Sequence, residues 1–158
     1  MKKLIYALTI TLSLFTVQAQ AETLIPTPLA KSEVVLTPAQ AYGQLLNQAE
    51  ILIPSLQNDI DALKGQLKHE DRAYWVGQVS GRLRQIAEMT TSVARVNHTG
   101  TSIDLATARY EVKMEGEVMI VCRKPNSDEK ECLEQLKRAQ NALDYLLLEI
   151  RKEYSKNI

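Results

Sequence analysis

The chain has 158 residues, 19 basic and 19 acidic side chains, no net charge and two cysteines. That balance lacks the basic excess of a nucleic-acid binder, and the length suits one domain with a single core. With one Trp and one Phe, the core must be built from Leu, Ile, Val, Ala and Tyr.

The N-terminus reads as an export signal. Met1-Lys-Lys is a basic start, Leu4 to Val17 is an uncharged apolar run, and Ala19 and Ala21 occupy the small-residue positions of an A-x-A cleavage site. No cysteine follows the apolar run, so no lipid anchor is expected there. Residues 1–21 are expected to be a cleaved signal peptide, with the protein in a bacterial periplasm or secreted. No later apolar stretch reaches the roughly 20 residues that a spanning helix needs. Residues 22–36 carry two prolines and no helical period, and are expected to be an extended lead-in.

At Thr37 the pattern changes. Thr37-Pro-Ala-Gln40 puts Thr at the N-cap, Pro at the first helical position and Gln at the third, a capping box. Tyr42, Leu45, Ala49, Leu52, Leu56, Ile60, Leu63 and Leu67 then recur in helical steps. Pro54 interrupts them, which predicts a kink or two abutting helices. The five residues Leu36-Thr-Pro-Ala-Gln40 also fit the L-T-x-x-Q pattern and so resemble the Spy/CpxP family of periplasmic helical chaperones. In that family the pattern typically recurs; here it occurs once, the capping box accounts for it, and the chain is not assigned to the family.

A second helix is expected from about Ala73 to Val96, with Val76, Val79, Leu83, Ile86 and Met89 or Thr90 inward, closed by Asn97 to Gly100. From Ser102 to Arg123 two readings compete. A helix would place Ile103, Ala106, Tyr110, Met114, Val118 and Val121 on its core face. A β-hairpin around 108–123 would turn at Glu115-Gly116. The helix is the expectation and the hairpin the alternative. The last segment is capped by Ser127 or Asp128, and its stripe is Leu133, Leu136, Ala139, Leu143, Leu146, Leu147, Ile150 and Tyr154. The fold expected is therefore all-α: one domain over 37–158, an antiparallel bundle of about four helices. The alternative is α+β.

Cys122 and Cys132 lie on either side of the last connection. Their spacing is neither C-x-x-C nor a pair of zinc half-sites, and an oxidising compartment favours a disulfide stapling the last two helices. His69-Glu-Asp71 reads as a solvated turn rather than a metal site. A haem held by His98 with Met114 or Met119 is a weaker reading than methionines filling the core. No nucleophile elbow, triad context, phosphate loop or dinucleotide fingerprint occurs, so no enzyme and no cofactor are expected.

Gly77 and Gly81, one helical turn apart on the second helix, ask for a close neighbour: another helix of the bundle, or a partner. The same helix carries Arg72, Arg82, Arg84 and Arg95 against Glu88, a basic strip suited to an acidic partner or anionic head groups. The function expected is an exported helical binding protein, an accessory or chaperone-like component of a cell-envelope, secretion or conjugation system. Its partner would be another envelope protein and not nucleic acid. The alternative is a carrier of haem, metal or a small apolar molecule.

Overall fold

The computed structural model describes residues 36–96, 102–124 and 126–158, and the side chains within them except those of 92–96. Residues 1–35, where a signal peptide and an extended lead-in are expected, His98 and Pro125 lie outside the described residues.

Four helices follow in order: α1 (Pro38–Gln66), α2 (Arg72–Val96), α3 (Ile103–Val118), and α4 (Glu129–Asn157), with a 3₁₀ turn at Met119–Arg123 between the last two. Each of the four packs on the next around an antiparallel bundle, with α4 returning to α1. Among the described residues there is no strand, so the hairpin alternative is overturned. Gly116, offered as its turn, lies inside α3. The helical ladder runs unbroken through Gly116 to Val118, and the buried positions on both sides of Gly116, Val112 and Met119, continue one helical face.

The caps explain where the helices begin. Thr37 Oγ1 accepts from the Gln40 amide at 3.2 Å, while Gln40 Oε1 accepts from the Thr37 amide at 3.0 Å, completing the expected capping box. Ser102 Oγ accepts from the Leu105 amide at 3.2 Å. Asp128, rather than Ser127, caps α4, and does so through the Lys130 amide at 3.0 Å. Ser127 instead donates to the Lys124 carbonyl. α1 runs through Pro54 as a single helix, not two abutting ones. Pro54 and Glu50 are both exposed, so the Glu50 carbonyl that loses its ladder partner faces water, and the cost of the proline is reduced.

Leu45, Ile53, Leu56, Ile60 and Leu63 from α1, Leu83 from α2, Leu105 and Met119 from the third segment, and Leu136, Leu143, Leu146 and Ile150 from α4 are fully buried. Two predicted stripes are shifted slightly: Ile53 takes the core position expected of Leu52, and Leu133 is more than a third exposed. Polar pairs tie α1 to α4 outside this core, including Arg151 with Glu50 at 2.9 Å and Gln57 with Asp144 at 2.6 Å. Cys122 and Cys132 form the expected disulfide, with Cα atoms 5.6 Å apart, joining the 3₁₀ turn to the first turn of α4.

Candidate functional site: the outward face of α3

The face of α3 expected to enter the core does not. Ile103 is 82% exposed, Tyr110 58%, Val118 44% and Val121 47%. The buried residues are Leu105, Ala108, Val112 and Gly116. At 3.6 residues per turn, residues 103 and 105 are about 200° apart, so the two apolar sets lie on nearly opposite faces.

Size decides between them. A β-carbon on Gly116 would stand 3.1 Å from Leu83 Cβ and 3.2 Å from the Ser80 carbonyl oxygen. Ser80 Oγ, itself buried, donates to the Gly116 carbonyl at 2.6 Å. α3 approaches α2 so closely here that only a face of small residues fits. A face carrying Tyr110 and Met114 would hold the helices apart and leave Ser80 without this acceptor.

The close approach sought at Gly77 and Gly81 is therefore made at Gly116. A β-carbon on Gly81 would meet nothing within 4 Å, and one on Gly77 would only reach the Arg123 guanidinium at 3.9 Å. Neither glycine marks a tight contact inside the bundle.

The arginine strip is dispersed as well. Arg72 is buried, and its guanidinium donates to the Leu67 carbonyl at 3.1 Å and to the Lys124 carbonyl, locking the α1–α2 loop to the α3–α4 loop. Arg82 pairs with Asp59 and donates to Ser55 Oγ at 3.0 Å, both on α1. The Arg95 side chain is outside the described set. Arg84 alone of the described arginines in that strip is exposed beside α3. His69, Glu70 and Asp71 are exposed in the α1–α2 turn, and Met119 fills the core. Among the described residues no cluster of three metal-ligating side chains occurs.

A cavity borders the outward apolar face on its α2 side. It lies between α2 and α3, has a volume of about 190 Å³ and is lined by Arg84, Arg109, Lys113, Thr91, Tyr110 and Glu88. Arg109 is aimed there by its bond to Thr91 Oγ1 at 2.5 Å. On the α4 side of the same face carboxylates are interspersed with Lys152, Lys156 and Arg138. Burial raises the Tyr145 phenol's pKa, and the fields of Glu149, Asp104 and Glu111 raise it further against a single opposing lysine, Lys152. Glu115 on the same side is raised above the ordinary carboxylate value mainly by burial, even though Gln135 donates to it and Arg138 opposes the shift. Glu149 is buried, with Oε1 held by Lys152 at 2.6 Å.

Sequence reasoning named every residue of the α3 face but assigned it to the core. The missed signal is that α3 has two apolar faces, and only the one carrying Gly116 can meet Ser80. No helix among the described residues is long and apolar enough to cross a membrane. No protein-family model, curated protein or solved structure matches the chain.

Proposed function

We propose that this is an exported binding protein without catalytic chemistry, serving a cell-envelope system as an accessory or chaperone-like component. It would engage another envelope protein through the outward face of α3. One observation carries the reading: a helix apolar on two opposite faces buries one in its own bundle and leaves Ile103, Tyr110, Val118 and Val121 in water. An exposed apolar stripe of this kind, rimmed by charged side chains, is a common form of protein-docking surface. The leader at 1–21 and the disulfide are both in keeping with an oxidising compartment outside the cytoplasm. Against the ligand-carrier alternative, Leu45, Ile53, Leu83, Met119 and Leu143 fill the described bundle interior with their own side chains.

A photocrosslinking amino acid at position 110, in cells making the chain with its own leader, tests the reading. A crosslink to one envelope protein is expected, with none from the same probe at exposed Gln78 on α2. Tyr110→Glu should abolish co-purification of that protein without lowering helicity. A folded, exported chain that forms no position-110 crosslink to another protein would sink the proposal.

A further inference from the structure

The cavity between α2 and α3 offers a chemistry that the apolar face beside it does not use. We infer that it binds a phosphate ion in a protonated form, held by Arg84, Arg109 and Lys113 with Glu88 accepting the ion's proton-bearing oxygen. This site is independent of the docking role proposed for α3.

Arg109 anchors the site. It is half-buried, and its Nη1 donates to Thr91 Oγ1 at 2.5 Å. The Thr91 hydroxyl in turn donates to the Ala87 carbonyl at 3.3 Å, so its proton is committed and a lone pair is left for the arginine. The guanidinium is therefore oriented between the two helices by a hydroxyl, a partner that leaves its charge uncompensated. Among the described residues neither Arg109 nor Arg84 forms an ion pair. A pre-oriented guanidinium with its remaining N–H groups unspent is the fork that oxyanion recognition uses.

Charge and volume set the size of the ligand. Lys113 is the third cation, and its ion pair with Glu117 is an exposed 3.8 Å contact within one helix that holds it only weakly. Arg84, Arg109 and Lys113 against the carboxylates Glu88 and Glu117 leave one net positive charge at the site. That balance suits one small anion and not a polyanion. The volume agrees: about 190 Å³ exceeds the ~10–15 Å³ that a single water needs and falls short of the roughly 300–1,000 Å³ of pockets for larger ligands.

Glu88 selects among small anions. It lines the same cavity and, among the described residues, has no ion-pair partner of its own. A carboxylate there repels an oxyanion whose oxygens are all acceptors, such as sulfate or a phosphodiester. It accepts a hydrogen bond from an oxyanion that keeps a hydroxyl, as phosphate does at neutral pH. The cations then take the charged oxygens and Glu88 the protonated one.

Titrating inorganic phosphate into the folded, exported chain and following its arginine Nε–H resonances tests the assignment. Phosphate should shift the Arg84 and Arg109 signals saturably, with a Kd of about 0.1–1 mM for so small an ion in an open site. Sulfate at matched ionic strength should bind about fivefold more weakly or worse. Arg109→Lys keeps the charge but loses the fork, and should weaken phosphate about tenfold. Glu88→Gln removes the repelling charge and should bring the two anions within about twofold of each other.

Circular dichroism checks that both variants stay helical; should Arg109→Lys fail to fold, Glu88→Gln, at an exposed position, still decides through the selectivity. No saturable shift up to about 20 mM phosphate overturns the inference. Equal affinity for phosphate and sulfate in the unsubstituted chain does so as well, as does unchanged phosphate binding by Arg109→Lys. Phosphatidylglycerol vesicles are the last arm: binding to them that Arg109→Lys abolishes, with no saturation by free phosphate, would assign the cavity to a membrane surface and also overturn it. The position-110 crosslink is read separately, so the two readings fail separately.

Discussion

Replacing Gly116 and Gly81 by alanine, one at a time, should shift stability in opposite directions. Both are helix-interior glycines, so each gains about 1 kcal/mol of helix propensity on becoming alanine. At Gly81 nothing within 4 Å opposes the new methyl, and that gain should appear nearly whole. At Gly116 the methyl would stand 3.1 Å from Leu83 Cβ, 3.2 Å from the Ser80 carbonyl oxygen and 3.3 Å from Arg84 Cγ. The arginine methylene can swing away; the other two atoms are fixed to the α2 backbone. Relief then requires α3 to move off α2, with an overpacking cost of about 1–3 kcal/mol. The same movement stretches the 2.6 Å bond from Ser80 to the Gly116 carbonyl, itself worth about 1 kcal/mol. The net expectation for Gly116→Ala is a loss of about 1–3 kcal/mol once the propensity gain is set against these two costs. Urea denaturation followed by helical ellipticity measures both variants with one unfolding slope. Were Gly116→Ala stabilised as much as Gly81→Ala, α3 would not approach α2 as described, and the account of its burial would fail.

Removing the staple with Cys122→Ser/Cys132→Ser should cost about 2.5–3 kcal/mol in the chain-entropy treatment of an eleven-residue loop, and thermal unfolding of exported protein with and without reductant should agree with the variant; no difference would mean that other contacts already fix the connection. Two carboxylates should act on the stability–pH curve with opposite signs. Glu115, raised above its ordinary 4.5 chiefly by burial, makes the native state hold its proton more tightly than the unfolded one, so its effect is most favourable below that value and declines as pH rises through the folded one. Glu115→Gln should therefore gain stability relative to the native chain above about pH 5. Glu153 is pushed upward by burial, but hydrogen bonds from Lys156 and Ser102 outweigh this and hold it below 4.5. Its contribution is full above that value and is lost as pH falls through the folded one, so Glu153→Gln should flatten the acid limb of the curve, and an unchanged limb would refute the assignment.

Helix positions, caps and the staple were legible because they depend on neighbours in sequence. The Thr37–Gln40 box, Pro at the first position of α1, and the cysteines bracketing a polar loop are local chemistry read in steps of three or four. What could not be read was rotation. α3 offers Leu105, Ala108, Val112 and Gly116 on one side and Ile103, Tyr110, Met114 and Val118 on the other. Periodicity ranks the larger residues as core. The deciding fact lies on another helix: the buried Ser80 hydroxyl donates to the Gly116 carbonyl, and the two can meet only where α3 presents a bare backbone. The same blindness misplaced the basic strip, because Arg72 and Arg82 look alike in sequence. One reaches two loop carbonyls and the other an α1 carboxylate.

The outward face of α3 is fixed at two separate places, and this bears on its use. Near the end of the helix, Gly116 is held against Ser80. Six residues later, Cys122 is bonded to Cys132 on α4. Rolling α3 by half a turn to bury Tyr110 would break the first contact and carry Cys122 away from its partner, so neither constraint can be satisfied without the other. Arg72 adds a third tie where the chain leaves α3, holding the Lys124 carbonyl to the α1–α2 loop. A chain selected only to bury apolar area would have little reason to commit the smaller face to the core and leave Ile103 and Tyr110 in water. Three constraints hold the opposite choice in place: the Ser80–Gly116 bond, the disulfide and the Arg72 tie.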